Sequence, residues 1–233
     1  MRFTPNRYHG ALLLAAIAAL LIWRDLTPDG PVPQGEPTAP PAGEGWVDLL
    51  DASRRASWRN ITDDKAIFEF EGETLHIFGR SLHPLRYVAY EAERLGNFAL
   101  HLEFKVAPGA NSGVFLRAQP NDPVYRGFEI QVLDDHGSPP DKNGSGAIYD
   151  VVTPMFNMAR PAGEWNSYDI VVDGDTVEVV ANGWLVVRAD LSQMTMPIGK
   201  YKAPFADLPK EGLIMFQDHG GEVWYRNVLL KKL

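Results

Sequence analysis

The chain has 233 residues, of which 45% are hydrophobic and 22% are charged, and its formal net charge is −8. A chain of this size and balance can bury one sizeable core. The acidic charge argues against nucleic acid as a partner, because phosphates require clustered lysine and arginine. The chain has no cysteine, which excludes a disulfide framework, a zinc–thiolate site and a cysteine nucleophile.

Residues 1–26 predict a signal peptide or a signal anchor. Arg2 and Arg7 precede an unbroken apolar run from Ala11 to Trp23, and a basic region before a short apolar one is typical of export signals. The run is shorter than the ~20 residues that span a membrane comfortably, and no clear cleavage site follows it. Cleavage and anchoring therefore both stay open. We expect a periplasmic or otherwise exported protein that contacts the membrane only through residues 8–23.

Residues 27–45 are rich in proline and glycine and have almost no apolar side chains. Such a composition cannot bury enough surface to offset the entropy of ordering the chain, so it predicts a disordered or extended linker. We expect the folded domain to occupy residues 46–233.

The domain consists of short alternating runs separated by turn residues, with almost no helical periodicity. The clearest run is 98–106, in which apolar residues occupy every second position. Asn182-Gly183 between two such runs predicts a hairpin, because both residues can adopt positive φ. About a dozen strands with turns at short intervals predict an all-β fold, an antiparallel sandwich of jelly-roll type.

An ordered series of motifs runs through this domain. It comprises Asn111-Ser112-Gly113-Val114-Phe115-Leu116-Arg117, Gly127-Phe128-Glu129-Ile130-Gln131-Val132-Leu133-Asp134, Gly146-Ala147-Ile148-Tyr149-Asp150, Arg160-Pro161-Ala162-Gly163-Glu164-Trp165-Asn166, Ala181-Asn182-Gly183 and Gln217-Asp218-His219-Gly220. The series resembles the bacterial 3-keto-disaccharide hydrolase family, also described as 3-keto-glucoside 1,2-lyase and 3-keto-2-hydroxy-glucal hydratase. The resemblance implies a concanavalin-like sandwich and a small carbohydrate substrate. It also implies cleavage of 3-keto-glycosides by β-elimination across C1–C2, glycal hydration, or both.

This chemistry needs a base near C2, donors for an enolate oxygen and an acid for the leaving group. In the run Gly127–Asp134, apolar residues alternate with Glu129 and Gln131, which therefore face away from the core. The same alternation places Arg117 and Gln217 on that face, if the three strands share a sheet as the family architecture implies.

We expect three catalytic side chains, Glu129, His219 and His136. Six further residues are expected to bind substrate: Arg117, Gln131, Gln217, Asn111, Tyr149 and Trp165. Structural interpretations stay open for each kind of residue. Glu129 could form only a salt bridge with Arg117, the histidines could cap turns, and the aromatic residues could belong to the core.

Asp134, Asp135 and His136 form a second hypothesis, a divalent metal site. Carboxylates and imidazole are ligands for such ions, but acids and glycine after a strand are also ordinary turn residues. No particular ion and no other cofactor is indicated.

Two rival functions share these features. A two-carboxylate jelly-roll glycoside hydrolase of the retaining kind would place its acids ~5–5.5 Å apart. Asp134 is an odd number of positions from Glu129, so the two face opposite ways unless a bulge intervenes. A non-catalytic carbohydrate-binding module could use the same groove. The oligomeric state stays open.

Overall fold

The computed structural model describes residues 35–81 and 83–233. The signal peptide or anchor predicted for residues 1–26, and the linker as far as residue 34, lie outside the described residues. Among the helices of the described part, none is long and apolar enough to cross a membrane.

The described chain forms thirteen strands and three short 3₁₀ helices. The strands are β1 (Val47–Asp48), β2 (Trp58–Asn60), β3 (Phe68–Glu71), β4 (Thr74–Ile77), β5 (Arg86–Leu95), β6 (Phe98–Val106), β7 (Asn111–Ala118), β8 (Phe128–Leu133), β9 (Trp165–Asp173), β10 (Thr176–Ala181), β11 (Trp184–Asp190), β12 (Gly212–Asp218) and β13 (Val223–Lys232). The 3₁₀ helices are Arg55–Ser57, Leu191–Gln193 and Phe205–Asp207.

The strands form two antiparallel sheets. The larger sheet has the order β11-β10-β9-β6-β13-β4-β3, with β1 paired to β13, and the five-stranded sheet has the order β2-β5-β12-β7-β8. β7, β8 and β12 thus share one sheet, which is the condition for Glu129, Gln131 and Gln217 to lie on one face. The predicted all-β antiparallel sandwich is confirmed.

The core lies between the two sheets and is built from alternate residues of each strand. Tyr225 of the larger sheet stacks on Phe216 of the smaller one, with ring centroids 4.0 Å apart and planes 4° apart. Val114 and Ile130 are fully buried in the same cluster. Apolar area removed from water stabilises the fold by ~25 cal/mol per Å², so this alternation fixes which face of β7, β8 and β12 points inward.

The β10–β11 hairpin has the predicted turn. Asn182 and Gly183 have φ of 47° and 81°, which allows Ala181 to pair with Trp184. The Asn182 side chain also accepts a hydrogen bond from Ser167 N at 2.7 Å, so this residue serves the sheet as well as the turn.

The described end of the predicted linker is not free chain. Thr38 donates hydrogen bonds from N to Ser167 Oγ (2.8 Å) and from Oγ1 to Asp169 Oδ2 (2.5 Å), both on β9. Arg160 binds the carbonyl of Gly35 at 3.1 Å. Residues 35–38 of the predicted linker therefore lie against β9 and the segment that precedes it. Hydrogen bonds hold this segment, so its low hydropathy did not indicate that it lies against the domain.

The five-stranded sheet is apolar on its outer face too. A second cluster of buried side chains lies there, away from the core: Tyr87, Ala89, Phe115, Ala118, Leu213 and Met215. Ile61, Leu85 and Val124 pack against this cluster from the loops. A sheet covered on both faces can hold polar side chains out of water, and this is where the candidate site lies.

Candidate functional site

A pocket of about 210 Å³ opens on the outer face of the five-stranded sheet. Its lining consists of Leu85, Asn111, Phe115, Val124, Glu129, Gln131, Tyr149, Lys200, Gln217 and His219. Six of these residues were expected at the site from the sequence. Among the described residues that line the pocket, Glu129 is the one carboxylic acid and Lys200 the one lysine or arginine.

Glu129 lies at the floor of the pocket. β8 places it opposite Phe115 of β7, and only 3% of its surface is exposed. Burial raises the pKa of Glu129 to about 7, because water no longer stabilises the charged form, and the nearby Lys200 ammonium opposes the shift. The carboxyl group is therefore poised to gain or lose a proton near neutral pH.

Gly113 leaves the space that Glu129 occupies. It pairs with Gln131 across β7 and β8, and a Cβ at Gly113 would overlap Glu129 Oε1. The carboxyl group thus lies directly over the backbone of the neighbouring strand. This glycine belongs to the Asn-Ser-Gly motif, which forms the start of β7 and leaves room for the carboxyl group.

Three amides, those of Asn111, Gln131 and Gln217, line the pocket together with the carboxyl group. The Gln131 amide lies 3.1 Å from the Asn111 amide, and in the amide orientation that satisfies its neighbours it donates to Glu129 Oε1 and to the carbonyl of Ser112, both at 3.2 Å. Gln217 Oε1 and the Tyr87 hydroxyl are both buried without a hydrogen bond of good geometry among the described residues, and the Gln217 side chain opposes the rise that burial causes in the pKa of Tyr87. An unpaired buried acceptor is costly, and a ligand hydroxyl in the pocket could satisfy it.

Tyr149 reaches the pocket because its segment extends the sheet. Tyr149 N donates to the carbonyl of Glu129 at 2.9 Å, Gln131 N donates to the carbonyl of Ala147 at 3.1 Å, and Ile148 bridges to Ile130. The residues before Tyr149 therefore run beside β8 like a short additional strand.

Lys200 was not predicted from the sequence. Its Nζ lies 3.7 Å from Glu129 Oε2 and 4.4 Å from the centre of the Tyr149 ring. Burial lowers the pKa of Lys200, and the carboxyl groups of Glu129 and Asp150 oppose the shift. Gly199 brings it there, because its φ is 57° and a Cβ would overlap the Asp150 carbonyl. Such a loop contact has no periodicity by which a sequence could reveal it.

His219 lies at the rim, just after β12. The preceding residue, Asp218, is fully buried and accepts hydrogen bonds from Ser81, whose hydroxyl accepts one from Arg86 at 2.6 Å. These bonds fix the end of the strand. Burial lowers the pKa of His219, and the neighbouring His83 lowers it further, so the imidazole is neutral at pH 7.

The expectation that Arg117 lies beside Glu129 is wrong. Its φ is 49°, and the register between β7 and β12 shifts at this point. Met215 pairs with Phe115 but Leu213 pairs with Ala118, so β7 contains one extra residue between the two pairs. This bulge turns the Arg117 side chain away from the pocket. Its guanidinium instead donates to the carbonyls of Gly96 (2.9 Å) and Gly174 (2.8 Å).

Trp165 is likewise far from the pocket residues in the fold. It begins β9, which belongs to the larger sheet, and it alternates with core-facing residues such as Tyr168. Its ring contacts Arg226 at 3.9 Å and Lys105 at 5.2 Å. The aromatic residue therefore lies on the outer face of the opposite sheet, a correction to its expected role in substrate binding.

The acid–histidine turn after β8 does not line the pocket and does not converge on one point. Asp134 Oδ2 accepts from Gly109 N at 2.8 Å, and the Asp135 carboxylate accepts from Ser145 N and Oγ at 2.9 and 2.6 Å. His136 Nδ1 lies 2.7 Å from the Ala159 carbonyl. Among residues 35–81 and 83–233, the one group of three or more acids and histidines whose ligand atoms converge is Glu69, Glu71 and His76, on the larger sheet. Asp134, Asp135 and His136 thus each contact a different group, and none of them lines this pocket.

The geometry brings one buried carboxyl group, one ammonium group, one imidazole and three amides into a single pocket. Residues 45–231 match the family of 3-keto-alpha-glucoside-1,2-lyase-like domains. The chain belongs to this family. The resemblance noted from the motifs is thereby confirmed over almost the whole described domain.

Among curated proteins, the chain is similar to a 3-keto-disaccharide hydrolase of Bacteroides thetaiotaomicron. The two are 34% identical over 175 residues, which are 61% of this chain and 60% of that protein. The chain therefore spans about three fifths of the relative's length.

Solved structures agree on the fold. A Parabacteroides distasonis protein described as a glycosyl hydrolase is 26% identical, covers 81% of this chain and 99% of its own, and superposes with a TM-score of 0.69. A Bacillus subtilis protein with a galectin-like fold covers 83% of this chain and 97% of its own, at 11% identity and a TM-score of 0.55. The second likeness concerns the fold alone.

Proposed function

We propose that this domain cleaves 3-keto-glycosides by β-elimination across C1 and C2, and that hydration of the resulting glycal completes a net hydrolysis. Family membership supports the substrate class, as does the name of the Bacteroides relative. The observation that carries the reaction type is the single buried carboxyl group, Glu129, with a pKa of about 7.

A glycosidase of the two-carboxylate kind needs a second acid on the other side of the sugar. Among the described residues that line the pocket, Glu129 has no such partner. Asp134, the nearest acid of the motif in sequence, binds a backbone amide elsewhere. An elimination needs only one base, and a base works best when its pKa lies near the operating pH.

The step follows from the acidity of the hydrogen beside a ketone. Glu129 takes the proton from C2, and the electron pair of the C2–H bond forms an enolate with its negative charge on the C3 oxygen. The enolate re-forms the ketone while C1=C2 forms and the C1–O bond breaks. The leaving oxygen keeps the electron pair of that bond and takes up a proton. Water then adds across C1=C2 to give the free 3-keto sugar.

The remaining pocket residues have roles that fit this step. The amides of Gln131, Gln217 and Asn111 line the pocket and can hydrogen-bond the sugar hydroxyls. His219 is the second group able to carry a proton, and we assign to it the leaving oxygen. It is neutral at rest, so it must take up a proton before it gives one to the leaving oxygen.

Matched chromophoric substrates test the proposal. The purified protein is incubated with a nitrophenyl 3-keto-glucoside and with the ordinary nitrophenyl glucoside, and both nitrophenol release and enone absorbance are followed. We expect turnover of the keto compound alone. Glu129→Gln should lower it more than 100-fold, as expected when a general base is lost, and Glu91→Gln, which alters a surface carboxylate paired with Arg59, should not.

The rival functions are outcomes of the same experiment. Turnover of the ordinary glucoside would support a two-carboxylate glycoside hydrolase and overturn the elimination. Binding of the sugars without turnover of either would support a non-catalytic carbohydrate-binding module.

A further inference from the structure

The pocket contains one cationic side chain among its described lining, and it is not the arginine that the sequence suggested. Arg117 is turned toward the carbonyls of Gly96 and Gly174. Lys200 occupies the pocket instead, and its side chain is 22% exposed. Any role that requires positive charge beside the substrate therefore falls to Lys200.

The ammonium group of Lys200 is held by one carboxyl group and two aromatic rings, none of which accepts a short hydrogen bond from it. The distance of 3.7 Å to Glu129 Oε2 is that of an ion pair and is too long for a good hydrogen bond. The faces of Tyr149 and Tyr201 lie 4.4 and 5.5 Å from Nζ. Ring faces attract a cation but do not accept strong hydrogen bonds, so the N–H groups stay available to a ligand oxygen.

Building on the proposed function, we propose that Lys200 binds the ketone oxygen of the substrate and stabilises the negative charge that develops there when Glu129 removes the neighbouring proton. The acidic hydrogen and the ketone belong to adjacent carbons. The groups that contact them must therefore also be neighbours, as Glu129 Oε2 and Lys200 Nζ are.

The other polar groups of the lining suit this task less well. The amides of Asn111, Gln131 and Gln217 are uncharged, and His219 is neutral at pH 7 because burial lowers its pKa. A full positive charge in a mostly buried pocket stabilises a developing anion more strongly than a neutral donor does. The charge on the oxygen is fully developed only after proton abstraction, so Lys200 acts mainly on the rate of the chemical step.

Three variants separate this role from a structural one. For Lys200→Met we expect kcat on the 3-keto-glucoside to fall about 100-fold, the usual order for loss of an oxyanion donor, while KM changes less than tenfold. Lys200→Arg, which keeps the charge, should recover part of the loss. Lys202→Met is the matched control, since Lys202 is exposed two positions along the same segment, and it should retain wild-type kinetics.

The pH profile gives a second readout, which reports the effect of the Lys200 charge on Glu129. The charge of Lys200 lowers the pKa of Glu129, so Lys200→Met should shift the acid limb of kcat/KM to higher pH. If the wild-type protein turns over the keto substrate and Lys200→Met has the same kcat, this inference is overturned and the proposed function is not. A wild-type protein inactive on the keto substrate would overturn the proposed function and the inference with it.

Reduction with borohydride during turnover distinguishes a charge–dipole contact from a covalent one. A lysine that attacked the ketone would lose water to form an imine, and reduction would fix the sugar on Nζ. We expect no added sugar mass on the intact protein. A sugar adduct mapped to Lys200 by mass spectrometry would overturn the proposal that Lys200 acts as a hydrogen-bond donor.

Discussion

Lys200 Nζ lies 3.7 Å from Glu129 Oε2 in the pocket, although the two residues are 71 positions apart in the chain. Burial raises the pKa of Glu129 and lowers the pKa of Lys200, because it disfavours the charged form of each side chain. Their mutual attraction opposes both shifts. Glu129, with a pKa of about 7, therefore gains or loses its proton near neutral pH, and the pH dependence of activity follows from this.

The activity should rise with pH through a limb near 7. Glu129 must be ionised to take a proton, and its pKa of about 7 sets the midpoint of that change. Below the limb, kcat/KM should fall about tenfold for each pH unit. The profile is measured on the 3-keto-glucoside over pH 5 to 9, and a flat profile between pH 5 and 8 would contradict the assignment of Glu129 as the base.

Glu129→Gln should stabilise the fold at alkaline pH. The folded-state pKa of Glu129, about 7, lies above its ordinary value of 4.5. Ionisation of this group therefore favours the unfolded chain. It leaves the free energy of unfolding unchanged below pH ~4.5 and lowers it by roughly 3 kcal/mol above pH ~7. Thermal unfolding at pH 5 and pH 8 measures the difference. The variant's advantage should grow by several degrees between these pH values, and an equal gap at both would refute the raised pKa.

Gly113→Ala should abolish turnover of the 3-keto-glucoside while leaving the protein folded. The new Cβ would overlap Glu129 Oε1, and the flexible carboxyl group would move rather than the strand. A displacement of about 1 Å at a reacting group can cost 100-fold in rate. Gly96→Ala is the control, because its Cβ would make an ordinary 3.4 Å contact with the Lys210 carbonyl. A fully active Gly113→Ala protein would show that the position of the carboxyl group is not critical.

Arg117→Ala should affect stability and not the chemistry. Arg117 is 2% exposed, and its loss leaves the carbonyls of Gly96 and Gly174 without their donor. We expect the free energy of unfolding to fall by roughly 3 kcal/mol, with kcat/KM per folded molecule unchanged. Denaturant unfolding and kinetics on the same preparation check this. An unchanged stability with lost activity would restore Arg117 to the site.

The sequence correctly predicted which side chains face the core and which face the pocket wherever a strand alternates regularly. β8 is a regular strand, so Phe128, Ile130 and Val132 fill the core and Glu129 and Gln131 face the pocket. The same reasoning located Gln217 on β12. Each of these predictions needed only the period of a strand and the burial of its apolar face.

The errors arose where tertiary structure overrides that period. A single bulge reverses the direction of Arg117, and nothing in the local sequence marks it. Trp165 belongs to the other sheet, which alternation within one strand does not reveal. Lys200 enters the pocket through a close loop contact between Gly199 and Asp150, and such contacts depend on the folded chain as a whole.

Exchange of the C2 hydrogen tests the central claim most directly, because it reports proton removal whether or not the C1–O bond then breaks. The 3-keto-glucoside is incubated in D₂O with wild-type protein or with Glu129→Gln, and deuterium at C2 is followed by NMR in recovered substrate and product. We predict that wild-type protein introduces deuterium at C2 and that Glu129→Gln reduces the rate more than 100-fold, in proportion to its loss of turnover. Cleavage of the substrate with C2 hydrogen fully retained in the product, or undiminished exchange in Glu129→Gln, would contradict the account.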